Sequence, residues 1–218
     1  MARRRLLAPI ASLALLLAAG GSATADTGPH APSTDILQAR IPISYLGSDG
    51  RTYTGEALVQ RDLINGTTVA GFYWSWRNLV NCDNGTPEPD DDFQGEELID
   101  FTVDSIVPTS FAIASNLSSS SGVLTKSGHL IHLAACDGST ISDVVESHTV
   151  SFGVASTGPA TKSNSRERID NGDGTVTTIV VRETHRPASG SLTINVAGTV
   201  APAVGSDLAH VEVTETTR

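Results

Sequence analysis

Basic residues and aromatic residues are both scarce in this chain. Lys and Arg together number 14 against 24 Asp and Glu, which gives a formal net charge of −10, and the only lysines are Lys126 and Lys162. An acidic protein repels phosphate backbones and anionic lipids, so nucleic acid is excluded as a partner bound by simple electrostatics. Aromatic residues make up 5% of the chain, so we expect most of these few large rings to be buried in the core.

A recognisable catalytic motif is also lacking. No serine stands in a G-x-S-x-G turn, and a nucleophilic serine or cysteine needs an activating base beside it. His129 and His132 are three residues apart, so on a strand they would face opposite sides and would not share a metal ion. The other histidines of the second half, His148, His185 and His210, stand alone in the sequence. These observations favour a protein without catalytic activity.

The N-terminus has the pattern of a secretory signal peptide, which we assign to residues 1–25. Three arginines, Arg3 to Arg5, precede an apolar run from Leu6 to Ala19, and Ala23-Thr24-Ala25 supplies a small-residue cleavage site. The run is shorter than the roughly 20 residues that a membrane span needs. We therefore expect a secreted, extracellular protein without a membrane anchor. Its preference for Arg over Lys, with abundant Ala, Gly, Thr and Val, is typical of high-GC bacterial genomes.

Two cysteines, Cys82 and Cys136, are the whole cysteine content. In an oxidising compartment, an even number of cysteines is most simply explained by a disulfide. The bond would close a loop of about 55 residues and would stabilise the fold by about 4 kcal/mol in the chain-entropy model.

Apolar residues alternate with polar ones over most of the chain, as in the series Ala39, Ile41, Ile43 and Tyr45. Turn pairs such as Asp49-Gly50 and Asn65-Gly66 separate the alternating segments. The pattern predicts an all-β fold of about ten short strands, an antiparallel β-sandwich with a partly closed barrel as the alternative. We expect residues 26–37 to form a flexible lead-in, residues 38–218 to form a single β domain, and residues 155–165 to form a long loop.

Phe72, Trp74 and Trp76 lie two residues apart, so on a strand their rings point to one side. Two interpretations follow. In the first, the three rings are part of the hydrophobic core of the fold. In the second, they form an exposed row on which a glycan stacks, and the three residues are then candidate ligand-binding residues.

Acidic residues cluster after this aromatic segment, and no Lys or Arg occurs between Arg77 and Lys126. Uncompensated carboxylates attract a hard cation, so calcium is the one candidate metal, with ligands Asp90, Asp91, Asp92 and Glu96. The alternatives are a solvated acidic loop and a pair of glycosidase carboxylates.

Taken together, the sequence predicts a secreted, non-catalytic binding or surface-interaction module. Its partner would be an extracellular ligand, a glycan or a protein, and calcium is the sole cofactor considered. The alternative is an extracellular hydrolase that acts on a glycan or an ester. This prediction rests on the lack of a recognisable set of catalytic residues and on analogy with other β folds.

Overall fold

The computed structural model describes residues 32–83 and 93–218. Within these ranges no helix is long and apolar enough to cross a membrane. The secondary structure consists of eleven β-strands, and these are β1 (Thr34–Gly47), β2 (Thr52–Asp62), β3 (Thr68–Cys82), β4 (Phe93–Ile106), β5 (Ser110–Ile113), β6 (Ser119–Leu133), β7 (Thr140–Ser156), β8 (Thr161–Asp170), β9 (Val176–Ile194), β10 (Gly198–Val200) and β11 (Ala203–Thr217). The predicted signal peptide and residues 26–31 of the predicted lead-in lie outside the described residues.

All strands belong to one antiparallel sheet. Hydrogen-bonded neighbours follow the order β1-β11-β9-β7-β6-β4-β3-β2, and β2 pairs in turn with β1, so the pairing returns to its starting strand. The short strands β5 and β10 and the strand β8 lie off this path. Alternate side chains of the main strands meet in one apolar core, whose largest fully buried members include Trp74, Phe72, Phe101, Ile41 and Leu124. The predicted all-β, antiparallel, sandwich-like fold is confirmed.

The disulfide between Cys82 and Cys136 is also confirmed, with its Cα atoms 5.4 Å apart. It connects the end of β3 with the turn between β6 and β7, and that turn passes directly over β4. Gly95 permits the close approach, because a Cβ atom at this position would overlap the carbonyl group of Ala135 and lie 2.7 Å from Cys82 Sγ. The bond thus fixes three strands at one end of the sheet.

Strand boundaries differ from the sequence prediction in two places. β1 begins at Thr34, inside the predicted lead-in, because residues 34–40 pair with β11 on one side. The predicted loop at residues 155–165 contains the end of β7 and the start of β8. Every residue of β8 is exposed, so this strand has no buried face to produce an alternating pattern and is held by its pairing with β9.

Pro42 lies in the short part of β1, residues 41–44, that pairs with β2 on one side and with no strand on the other. Pairing with β11 ends at Arg40, and pairing with β10 begins at Tyr45. Proline has no backbone N–H to donate, so a position without a ladder partner suits it. Pro42 is therefore accommodated within β1 although β1 as a whole is an interior strand.

Candidate functional site

The floor of the candidate site is an aromatic stack on β3 and β4. Trp74 stacks on Phe101 with ring centroids 4.6 Å apart, and Phe72 lies 5.7 Å from Trp74. Phe72 and Trp74 are each 1% exposed. Their alternation on β3 therefore serves the core, which is the first of the two interpretations, and neither ring presents an open face on which a glycan could stack.

His148, on β7, packs with its edge toward this stack. Its ring centroid lies 4.8 Å from that of Trp74 and 4.7 Å from that of Phe101, with both ring planes nearly perpendicular. His148 Nε2 is 2.8 Å from Glu146 Oε2. The second ring nitrogen, Nδ1, is buried and has no hydrogen-bond partner, and the side chain is only 8% exposed. A buried polar atom without a partner costs about 1–3 kcal/mol, so its presence calls for an explanation.

Gly128 makes room for this arrangement. It lies opposite Glu146 in the pairing of β6 with β7. A Cβ atom at this position would lie 2.8 Å from Val103 Cγ2 and 3.0 Å from Phe101 Cζ. The missing side chain leaves the Phe101 ring free to lie against His148.

A cleft of about 500 Å³ opens beside His148, and we call it the end cleft. Its apolar wall consists of Tyr45, Tyr53, Trp74, Leu130 and Val196, and its polar groups include Asp49, Glu146, His148 and Asn195. Tyr45 and Tyr53 are stacked with ring centroids 4.7 Å apart. No Lys or Arg belongs to the described residues that line the cleft. The volume falls within the range of small-molecule sites, about 300–1,000 Å³.

Two other polar side chains of the end cleft, Asn195 and Tyr53, have partners within the protein. Asn195 accepts a hydrogen bond from the backbone N–H of Thr149 at 2.6 Å and donates one to the Ser147 carbonyl at 3.1 Å. The Tyr53 hydroxyl donates to Asp49 Oδ2 at 2.9 Å. His148 Nδ1 is the one buried side-chain polar atom of the described residues that lacks a partner.

A network of charged groups borders the cleft at Asp49. Arg51 forms ion pairs with Asp49 at 3.1 Å and with Glu97 at 3.9 Å, and Glu97 bonds to His132 at 2.7 Å. Burial works against ionisation of Asp49, but hydrogen bonds from Arg51 and Tyr53 outweigh it and hold the pKa of Asp49 below its usual value. Burial, and then the bond to Asp49, raises the pKa of Tyr53 to about 12. Burial also raises the pKa of Tyr45.

Trp76 lies in a different setting from Trp74. It is partly buried at the margin of the core, and the Arg51 guanidinium carbon lies 4.6 Å above its ring centre. Together with Arg51, Tyr73 and Arg77 it lines a second cleft, of about 770 Å³. Both arginines there are already paired with carboxylates, Arg77 with Glu96 at 3.4 Å. Ligand binding by Phe72, Trp74 and Trp76 stays a prediction. Trp74 and Trp76 each line a cleft, whereas Phe72 lines neither of the two.

Of the four predicted calcium ligands, Glu96 alone lies within the described residues. Asp90, Asp91 and Asp92 lie outside the described residues, and Glu96 pairs with Arg77 on the sheet surface. The calcium site therefore stays a prediction. A different group, Asp35, His210 and Glu212, brings three potential ligand atoms within 4.8 Å of one another. His210 Nε2 is bonded to Asp35 Oδ1 at 2.7 Å, and a metal ion would have to replace that bond.

All five histidines within residues 32–83 and 93–218 bond to a carboxylate. The distances are 2.7–2.8 Å for His129, His132, His148, His185 and His210. Within the same part of the chain, no serine or threonine hydroxyl hydrogen-bonds to a histidine. A Ser-His pair, which nucleophilic catalysis requires, is therefore not preformed there.

No protein-family model, curated protein or solved structure matches this chain. The end cleft accordingly has to be interpreted from its own geometry. His148 and Glu146 were not singled out as site residues in the sequence, although one signal for His148 existed. Val150, Phe152 and Val154 form an alternating buried series on β7, and His148 occupies the next position of that series.

Proposed function

We propose that the protein is an exported, non-catalytic binding module that holds a small ligand in the end cleft. The observation that carries this proposal is the end cleft of about 500 Å³, in whose wall the aromatic stack and the Glu146 carboxylate hold His148 in one orientation. A cleft of this size with both apolar and polar lining groups suits a small ligand.

Export is supported by the signal-like sequence of residues 1–25 and by the disulfide. A buried disulfide persists in oxidising compartments and is rare in reducing ones. Cys82 is 2% exposed. The binding role is supported by the rigid surroundings of His148, since Trp74, Phe101 and Glu146 fix its ring from three directions. A preformed site of this kind avoids the cost of ordering side chains when a ligand binds.

Saturation-transfer NMR with phenol, indole and N-acetylglucosamine tests the proposal, the last compound representing the expected glycan ligand. We expect at least one of these compounds to bind the wild-type protein and to lose its binding in His148→Phe. The control is His129→Phe, because His129 is also bonded to a carboxylate but is 61% exposed. Equal binding by the wild type and His148→Phe would contradict the proposal.

The alternative, an extracellular hydrolase, is tested with p-nitrophenyl acetate and p-nitrophenyl glycosides. We expect the wild type and His148→Phe to hydrolyse these substrates at the same rate as the buffer. Turnover by the wild type that disappears in His148→Phe would favour the hydrolase, with Glu146 orienting the histidine as a general base.

A further inference from the structure

Strands β7 and β8 each have a long edge without a neighbouring strand among the described residues. β7 pairs with β9 only from Val150 to Ser156, so residues 140–147 pair with β6 alone. β8 pairs with β9 alone over its whole length. Residues 140–145 and all residues of β8 are exposed. An unpaired edge presents backbone N–H and C=O groups to which another strand can bind.

Asn195 identifies the backbone groups of β7 that face this free edge. Its side chain bonds to the backbone N–H of Thr149 and to the carbonyl of Ser147, directly after the end of β9. Along a strand, the direction of the backbone groups alternates from one residue to the next. The N–H and C=O groups of Asp143 and Val145 therefore also face the free edge, and they have no hydrogen-bond partner within the described residues.

The backbone groups at the free edge of β8 belong to its even-numbered residues. The backbone N–H of Thr157 donates to the carbonyl of Pro187 at 2.8 Å, so odd-numbered residues of β9 face the side on which β7 and β8 lie. Their partners in β8 are also odd-numbered, which leaves the even-numbered residues facing the free edge. Three of these are the cations Lys162, Arg166 and Arg168. None of the three forms an ion pair within the part of the chain that the structure describes.

The free edge of β7 has the opposite character. Residues 127–161 contain no Lys or Arg. Asp143 Oδ1 is bonded to His129 at 2.7 Å, but 47% of the Asp143 side chain is exposed, so a cation can reach it. Charged residues and proline usually protect an edge from other strands. On β7 this protection is weak, since three large apolar side chains are well exposed, those of Ile141, Val144 and Val145.

The end of β3 is a further free edge, because residues 76–82 extend beyond β2. Its cation Arg77 is paired with Glu96 at 3.4 Å. Residues 76–82 therefore offer no unpaired cation to the acidic edge of β7.

Charge favours the pairing of the β7 edge with the β8 edge. Two β7 edges would bring acidic residues together, and two β8 edges would bring cations together. Like charges opposite each other destabilise a sheet, and opposite charges stabilise it. An antiparallel pairing that places Asp143 opposite Arg168 also places Val145 opposite Arg166. The free backbone groups of the two strands then face each other.

The two edges cannot meet within one chain. β7 and β8 pair one after the other with the same side of β9, so they lie end to end. Their free edges face opposite directions, since the free edge of β7 lies on the side of β9 and that of β8 lies away from β9. One partner copy therefore cannot cover both edges of a chain at once.

We infer that copies of this chain associate head to tail, with the free edge of β7 in one copy paired to the free edge of β8 in the next. Such a contact uses different surfaces on its two sides, so its repetition gives an open chain or a ring of copies. The contact is made by backbone groups and exposed side chains. It does not depend on ligand binding in the end cleft.

Sedimentation velocity of the purified, disulfide-bonded protein measures this association. Two strand edges form a small interface, so we expect weak association that requires concentrations up to about 0.5 mM. The salt concentration is about 0.15 M, at which repulsion between two acidic copies is screened beyond about 8 Å. The mean mass should rise with concentration and exceed that of a dimer. A wild type that stays monomeric, or whose mass levels off at the dimer, would overturn the inference.

Two proline variants, Val145→Pro and Arg166→Pro, block one edge each. In both residues the N–H group faces the free edge, so proline removes no hydrogen bond to β6 or β9. Each variant alone should be monomeric. An equimolar mixture should form dimers and nothing larger, because each variant supplies the edge that the other lacks. If circular dichroism shows either variant to be unfolded, Val145→Arg or Arg166→Glu replaces it, since each brings a like charge to the paired edge.

Arg168→Glu tests the contribution of charge. It should weaken the association at least about five-fold, since it replaces opposite charges by like charges across the pair. Arg61→Glu is the matched control and should leave the association unchanged, because Arg61 is an exposed cation of β2, which has a paired strand on each side. Association of Arg166→Pro alone would mean that β7 edges pair with each other, and association of Val145→Pro alone would mean that β8 edges do so. Either result, or an unchanged association of Arg168→Glu, would overturn the head-to-tail pairing.

Discussion

Replacing His148 by phenylalanine should stabilise the protein while it removes ligand binding. The variant eliminates the buried, unpartnered Nδ1 atom, whose cost is about 1–3 kcal/mol. It keeps a ring at 4.7–4.8 Å from Phe101 and Trp74, so the edge-to-face packing is retained. The extra ring volume can extend into the adjoining end cleft.

One interaction is lost in exchange. The bond between His148 and Glu146 disappears, but the Glu146 side chain is 39% exposed, so water can solvate its carboxylate in the variant. A hydrogen bond of this kind contributes about 1 kcal/mol once solvent screening is allowed for. The balance is a net stabilisation of about 1 kcal/mol, which corresponds to a rise in Tm of about 2–4 °C for a chain of this size.

Urea unfolding followed by far-ultraviolet circular dichroism measures this change without depending on the emission of Trp74. His129→Phe, on the protein surface, should change the free energy of unfolding by less than about 0.5 kcal/mol. A loss of more than about 1 kcal/mol in His148→Phe, at an unchanged m-value, would refute the reasoning. It would mean that His148 Nδ1 has a hydrogen-bond partner within the protein.

Three further predictions concern the framework around the cleft. Native protein at about pH 11 should show much less phenolate absorbance than protein in denaturant, because burial raises the pKa of Tyr45 and raises that of Tyr53 to about 12. The stability from the neutral Tyr53 phenol is complete below its unfolded pKa of about 10 and is lost as the pH rises through about 12. Equal absorbance in the two states would contradict this prediction. Joint replacement of Cys82 and Cys136 by alanine should lower the free energy of unfolding by about 4 kcal/mol, since the bond spans 54 residues; urea unfolding checks this, and a loss below about 1 kcal/mol would be inconsistent with it. Gly128→Ala should destabilise the protein by about 1–3 kcal/mol through overpacking against Phe101 and Val103. The control Gly153→Ala should not destabilise the protein, because no atom lies closer than 3.6 Å to the added Cβ atom. Equal Tm values for the two variants would argue against this role of Gly128.

Period-two alternation was sufficient to place most of the strands. In β1, Ala39, Ile41, Ile43 and Tyr45 are all buried, as the alternation predicts for one face of a strand. The disulfide was predicted from the cysteine count, together with an N-terminal sequence that has the pattern of a signal peptide. Both features depend on local pattern or on composition, which a single sequence displays directly.

Features that depend on strand pairing were not predictable in the same way. β8 is exposed along its whole length, so no hydrophobic pattern distinguishes it from a loop, and only its hydrogen bonds to β9 make it a strand. The neighbours β4 and β6, and β7 and β9, are not consecutive in the chain. Such pairings are decided by the packing of the whole sheet, which local propensity does not encode.

The candidate site also depends on strand pairing and so could not be predicted from local sequence. The alternation of β7 places His148 on the buried face, but its significance lies in the meeting of three strands. Trp74 from β3, Phe101 from β4 and His148 from β7 contact one another, although the chain separates them widely. The unpaired state of Nδ1 appears only when all of these neighbours are in place.

The pairing of β1 with β11 has a consequence for the way the protein is made. The Ser33 hydroxyl donates to the carbonyl oxygen of Val213, 180 residues later in the chain, and the neighbouring residues of both strands form a continuous ladder. A growing polypeptide cannot form this ladder until β11 has left the ribosome. Contacts between such distant segments also form slowly, because a long loop must close first. The edge of β1 that pairs with β11 therefore stays unpaired until β11 has been made, which leaves an open strand edge on every shorter nascent chain.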